Sequence, residues 1–426
     1  DLHSFPTRRS SDLWQMKEDV VMRSYDFASA LSAMARERLE TSAIGEMIKL
    51  VTQHDALSFA AGEPSTELLP IDLLKKSFTG VFDDPAQLGY YWSDLGHIAL
   101  RDWIVKWMKR DGLVPDWVSS DNIMMTCGSQ EGISLAAEAL IDPGSYVLVE
   151  NPTYMETLLT FRKQGAVCIG VPIDEQGIIP EELEGILRKK TVRFLYSIPN
   201  FQNPSGYTAT IERRRQILEI LRKYNIPLVE DDPYHYLSYD GSPPPSYIKL
   251  ADDDKRVVYL GSFSKIVAPG IRCGWMIVPD SLMQKVISLR VNACLSLPIL
   301  VQQGLFNMVI GLDMKKYTSN LSSLYRIRRD GILKALDTHL RDLGLLYNKP
   351  KGGFFIWGKL KVIDDMMDFA RYSIVHEKVG FIPGSVFYVA GVEDTSSIRF
   401  SFAKVDEAEA NEGAKRLAKA IRSYRR

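Results

Sequence analysis

Between residues 122 and 279 the chain alternates short apolar runs with amphipathic stretches of helical period, and this is its strongest constraint. NIMMTC, SYVLVE, VCIGVPI, VRFLYSI, IPLVED, VVYLGS and WMIVP each read as a strand. GISLAAEALI, EELEGILRK and ERRRQILEILRKY read as helices between them. Parallel neighbours cannot be joined by tight turns, so the helices are the return paths. The pattern predicts an α/β fold, a three-layer large domain with a mostly parallel seven-stranded sheet. Ligands of such sheets sit beyond the carboxyl ends of the strands, and the chemically loaded residues fall there.

On either side the pattern changes. Residues 281–311 and 314–345 read as long helices, followed by the short segments FFIWGKL, VGFIPG and SIRFSFA of an antiparallel sheet and a helix from Glu407 to Tyr424. Helical spacing from Phe27 to Thr52, with a break near Thr41–Ser42, leads into the Gly/Pro-punctuated loop 58–70. Two helical patterns in 71–115 flank the loop LGYYWSDLG, 88–96. The expected organisation is an N-terminal stretch 1–24, a segment 25–60 that joins the small domain, a large domain 61–310, and a smaller α+β domain 311–426. Residues 1–13 carry paired arginines but no apolar core, so they do not read as a secretory signal. They look unrelated to the rest of the chain and are set aside as a cloning or sequencing remnant.

Composition narrows the function classes. A net charge of −1 gives no footprint for a nucleic-acid or membrane partner. Cysteines 127, 168, 273 and 294 form neither a C-x-x-C pair nor a metal-ligand spacing, which argues against a disulfide framework and a structural zinc. With no apolar run approaching the roughly 18 residues of a membrane span, a cytoplasmic location is expected.

The stretch GSFSKIVAPGIRCGW, 261–275, concentrates the chemistry. Lys265 could serve as a Schiff-base amine, while Ser262, Ser264 and Arg272 suit a phosphate dianion. An amine beside a phosphate site describes pyridoxal 5'-phosphate (PLP), an aldehyde that carries a phosphate; the plainer reading is a surface loop with a solvated lysine. Ser129 and Gln130 in GSQE stand where a strand gives way to a helix, a ready anion site or an ordinary N-cap turn. Asp231, in IPLVEDDPYHY, could hold a proton on the ring nitrogen. An ion pair at about 4 Å is worth roughly 4 kcal/mol at an effective dielectric of 20. Three carboxylates in a row are otherwise a solvated strand end or a cap. Tyr234 could bond the ring's phenolic oxygen, and Tyr154 in NPTY is placed to stack on a flat ring or to fill the core. Asn203 lies in an Asn-Pro-Ser-Gly turn that would account for it unaided. Arg399 sits between alternating apolar residues of a strand, where most arginines face water.

In order along the chain, N-P-S-G, D-x-x-Y, S-x-S-K-x-x-A-P-G-x-R and R-x-S-F resemble the fold-type-I PLP-dependent aminotransferases of class I, most of all the aminoadipate/kynurenine group. Asn203 precedes Asp231 by 28 residues and Asp231 precedes Lys265 by 34, as the family leads one to expect. The resemblance spans roughly residues 25–420 and includes PKGGFFIWGKL and GFIPGSVFY. It implies that Lys265 forms the Schiff base and moves the proton, that Asp231 holds the pyridinium, and that Tyr234 and Asn203 contact the phenolic oxygen. Tyr154 stacks on the ring, Ser129, Gln130, Ser262, Ser264 and Arg272 hold the phosphate, and Arg399, with Asn203, grips the substrate α-carboxylate. Tyr91, next to Tyr90, matches a tyrosine that reaches the neighbouring subunit of a homodimer. Gly62 matches the substrate-covering loop, although AAGEP departs from the commoner G-G-x-P and leaves side-chain specificity open. The implied activity moves an amino group from an amino acid of aminoadipate, aromatic or branched-chain type to a 2-oxo acid such as 2-oxoglutarate, by a ping-pong mechanism and with no metal.

Two rivals share the scaffold. One is the effector-binding half of a bacterial transcription regulator, for which the roughly 25 residues ahead of the domain are too few. The other is a PLP-dependent lyase or decarboxylase, disfavoured because an α-carboxylate clamp at Arg399 protects the bond that a decarboxylase breaks.

Overall fold

The computed structural model describes residues 26–84, 88, 93–392 and 394–424. The chain forms two compact units, divided between Leu39 and Glu40. Among described residues the first holds a 3-10 turn, Phe27–Ala30, capped by Asp26, and a short helix, Ala33–Glu37, capped by Ser32. The second carries all the sheets.

Its main sheet runs, edge to edge, Ile123–Thr126, Gly274–Ile277, Val257–Ser262, Leu228–Asp231, Val192–Ser197, Tyr146–Asn151, Val167–Asp174 and Gly177–Ile178. The strands from Val257–Ser262 to Val167–Asp174 are parallel, while Ile123–Thr126, Gly274–Ile277 and Gly177–Ile178 pair antiparallel. The seven expected strands are all there. An eighth, of two residues, closes one edge by a turn from Asp174 to Gly177. Successive side chains go to opposite faces. Leu148, Leu195 and Tyr259 enter one apolar layer, and Val149, Tyr196 and Leu260 enter the other. These are the two interfaces of a three-layer domain.

A second sheet of four strands runs Leu345–Tyr347, Phe355–Leu360, Ser397–Ser401 and Ile382–Pro383, all antiparallel. The stretch after the helix Ala43–Gln53 attaches to this region, since Leu57 and Ser58 pair in parallel with Val379 and Gly380. Ser401 N–H then donates to the Phe59 carbonyl. One expectation needs correction: residues 281–311 are not one long helix. Asp280–Cys294 and Ile299–Ile310 are separate, because Leu295 turns to φ +59° and Pro298 caps the second helix. A proline at that point cannot continue a helix, and it biases its predecessor away from helical backbone. None of the described helices is long and apolar enough to cross a membrane.

Candidate active site

Lys265 follows the fully buried strand Val257–Ser262. Ser262 Oγ accepts the Ser264 N–H at 3.1 Å, and Phe263 N–H reaches the Cys273 carbonyl at 3.1 Å, so the lysine leaves a closed turn rather than a free loop. Its Nζ donates to the Gly62 carbonyl at 3.0 Å and stands 5.9 Å from the centre of the Tyr234 ring. Burial pulls the ammonium down to about 8; Glu63 works against this and the Arg399 guanidinium with it.

Beside it the helix Ser129–Leu140 begins at Gly128, whose φ of +82° a side chain would resist. No side chain caps this end, so N–H groups of the first turn are left for another acceptor. Arg272, itself at φ +47°, crosses the same point and donates to the Cys127 carbonyl at 2.8 Å. A Cβ on Gly128 would come within 2.8 Å of Arg272 Nη2, so close approach demands glycine as much as the backbone angle does. Gln130 donates to Thr160 Oγ1 at 2.8 Å, and its own buried oxygen has no partner.

The three carboxylates at the end of Leu228–Asp231 have three destinations. Glu230 accepts from the N–H groups of Tyr247 and Ile248 at 2.8 and 3.0 Å and caps the helix Tyr247–Ala251. Asp232 takes both bonds from Asn200 Nδ2 at 2.9 Å and stands 3.4 Å from His235. Asp231 alone faces the cavity. Its Oδ2 accepts from Tyr196 at 2.7 Å, while Oδ1 is buried without a partner. Burial pushes this carboxyl up to about 7, opposed by the Tyr196 hydrogen bond. A buried acceptor with no donor costs on the order of 1–3 kcal/mol. The site is therefore built for a donor, and a protonated ring nitrogen meets that need.

Arg399 lies on Ser397–Ser401 between the core residues Ile398 and Phe400 and turns the other way, into the cavity. It donates to Asn203 Oδ1 at 2.9 Å and to the Ala60 carbonyl at 2.7 Å. Its plane lies over the rings of Phe355 and Phe387 at 4.3 and 4.8 Å, and Nε is buried with no partner. Burial lowers this guanidinium to about 10. Gly62 packs directly on Phe355, where an added Cβ would meet ring carbons at 2.7 Å.

Gly62, Ser129, Gln130, Tyr154, Asn203, Asp231, Tyr234, Ser262, Ser264, Lys265, Arg272 and Arg399 all line one cavity of about 430 Å³. Tyr154, the residue ahead of the helix Met155–Lys163, is held there with its phenol pushed far up by burial, as is Tyr234. Tyr91 lies outside the described residues. Sequence reasoning missed Tyr196, whose aromatic ring reads as strand core, and Phe355, whose ring backs Arg399. It also missed the Gly62 and Ala60 carbonyls, which as backbone groups leave no mark in a sequence. Among described residues no cluster of potential ligands could hold a metal ion.

The family model for aminotransferase class I and II matches residues 55–417. The chain belongs to the class I and II aminotransferases. It is 33% identical over 415 residues to an aromatic-amino-acid aminotransferase from Thermococcus litoralis, covering 96% of this chain and 98% of the relative. Among solved structures, a kynurenine aminotransferase from Pyrococcus horikoshii, in complex with PMP, superposes with a TM-score of 0.88 at 32% identity, over 94% of this chain and 98% of that one. An α-aminoadipate aminotransferase from Thermus thermophilus, complexed with N-(5'-phosphopyridoxyl)-L-leucine, gives 0.85 at 30% identity, over 94% and 99%. The protein is thus a transaminase of the fold-type-I group, and its family's cofactor is PLP.

Proposed function

We propose that this aminotransferase carries an amino group from an aromatic, aminoadipate-type or branched-chain L-amino acid to a 2-oxo acid such as 2-oxoglutarate, in two half-reactions of a ping-pong cycle. The observation that carries the reading is Asp231 Oδ1, a buried acceptor without a donor, in the same cavity as an amine lowered to about 8. When bound, PLP supplies an aldehyde that takes up the amino group and a ring that withdraws electrons from the α-carbon. Asp231 keeps the ring nitrogen protonated. Lys265 Nζ, with a free-amine fraction near neutral pH, takes the proton from the substrate α-carbon and gives it back one position along. Ser129, Gln130, Ser262, Ser264, Arg272 and the helix end at Gly128 hold the phosphate. Tyr154 covers the ring, while Tyr234 and Asn203 face its phenolic oxygen.

Arg399 grips the substrate carboxylate. A guanidinium has five N–H groups, and the bonds to Asn203 and Ala60 leave Nε–H and further hydrogens for a fork-shaped pairing. We further propose a homodimer in which Tyr91 reaches the partner's cavity.

The test is a half-reaction screen: PLP-loaded enzyme is mixed with each amino acid in turn and the cofactor's visible band is followed. Aromatic, aminoadipate and branched-chain donors should bleach it, and 2-oxoglutarate should restore it. A band that responds to none of them would refute this reading.

A further inference from the structure

Glu150 lies near the end of the strand Tyr146–Asn151, is 3% exposed, and has no part in the transamination chemistry. Its two oxygens are fully used. Oε1 accepts from Ser197 Oγ at 2.5 Å, and Oε2 accepts from the Ile198 N–H at 3.2 Å and from Gln202 Nε2 at 3.0 Å. Gln202 carries the connection onward. The same Nε2 donates to the Pro152 carbonyl at 2.7 Å, and its oxygen accepts the Ser205 N–H at 2.8 Å. Pro152 stands two residues before Tyr154, and Gln202 stands immediately before Asn203. Ile198 and Tyr154 line the cavity, and Asn203 Oδ1 is the acceptor that fixes Arg399. One carboxylate thus fastens the loop that presents Tyr154 to the loop that presents Asn203.

Burying a carboxylate is costly unless its bonds are satisfied. Leucine would fill much of the space without that cost, so a carboxyl group here runs against the grain of core packing. We propose that Glu150 is a positioning residue, whose Oε2, through Gln202, sets the spacing between Tyr154 and Asn203 across the cofactor cleft. The function depends on Oε2 as a double acceptor rather than on the charge. A proton on Oε1 can face Ser197 Oγ and leave Oε2 unchanged. Glutamine fits the same pattern, with its carbonyl oxygen at the Oε2 position and its NH2 towards Ser197. Leucine cannot, because it leaves Ile198 N–H and Gln202 Nε2 facing hydrocarbon.

This inference rests on the reading of Tyr154 and Asn203 as ring-facing groups, and the experiment separates the two. PLP affinity of the cofactor-free protein is measured by titration, and the visible band of the bound cofactor is recorded, for wild type, Glu150→Leu, Glu150→Gln, Gln202→Met and the double variant Glu150→Leu/Gln202→Met. Glu150→Leu should weaken PLP about tenfold, shift the band, and raise KM for L-phenylalanine more than it lowers kcat, since Asn203, which fixes Arg399, is held less firmly. Glu150→Gln should recover affinity and band to within about threefold of wild type. Gln202→Met should be at least as impaired as Glu150→Leu, because it also breaks the bonds to Pro152 and Ser205, and the double variant should be no worse than Gln202→Met, because the Glu150–Gln202 connection is then broken twice. If Glu150→Leu does not fold, Gln202→Met decides alone. Folded Glu150→Leu or Gln202→Met proteins with wild-type affinity and band would overturn the proposal, and so would a glutamine variant as impaired as leucine. A wild-type protein with no affinity for PLP would instead sink the functional reading.

Discussion

Asp231 and Arg399 have in common a buried polar atom left without a partner in an otherwise bonded side chain. For Asp231 this predicts that Asp231→Asn keeps the shape, retains the cofactor and slows the proton shift by roughly 10²–10³, the scale of a lost electrostatic stabiliser. Single-turnover kinetics would measure it, and near-normal rates would hand the role to Asp232, which Asn200 already occupies. For Arg399, a lysine cannot reproduce a planar fork. Arg399→Lys should lower kcat/KM for all amino acids alike by about ten- to a hundred-fold, the worth of one charge-assisted hydrogen bond. A loss confined to acidic substrates would make Arg399 a side-chain selector instead. Its direction was legible in advance, because Ile398 and Phe400 are apolar and period two turns Arg399 away from them. Its second anchor was not legible, because the Ala60 carbonyl is a group that every residue type carries.

Among the elements, the junction at Gly128 tests the proposed phosphate corner. An alanine there must accept φ +82° and a methyl 2.8 Å from Arg272 Nη2. Gly128→Ala should leave the fold standing while it weakens PLP binding about tenfold or more, measured by titration of the cofactor-free protein; unchanged affinity would remove Arg272 and this helix end from the phosphate site. The strand–turn–helix at this point was readable because its apolar run stops where GSQE begins. The helix boundaries near residue 295 were less so. Pro298 marks the break, but the positive φ of Leu295 runs against the preference of its residue type, so nothing in its identity announces the turn. The strand Gly177–Ile178 is too short for any period to register.

For the whole molecule, three buried carboxyl groups and Lys265 tie stability to pH. Burial raises Glu150 to about 7, Glu230 to about 8 and Asp231 to about 7, against ordinary values of 4.5, 4.5 and 3.8. Between those limits the folded chain holds protons that the unfolded chain has released. These groups therefore make the cofactor-free protein lose stability as pH rises from about 4 to 8. Lys265 has the opposite effect at higher pH: its folded value of about 8 lies below the ordinary 10.5, so stability is regained as pH climbs between them. Urea unfolding across pH should show a shallower decline below pH 7 in Asp231→Asn than in wild type, and identical slopes would mean that Asp231 ionises freely in the fold.

The central claim is that Lys265 is the amine that holds the cofactor, and borohydride reduction of the PLP-loaded protein followed by peptide mapping tests it most directly. The stable phosphopyridoxyl adduct should lie on the peptide containing Ser264-Lys265-Ile266, and Lys265→Ala should give no adduct. An adduct on any other lysine would contradict the account.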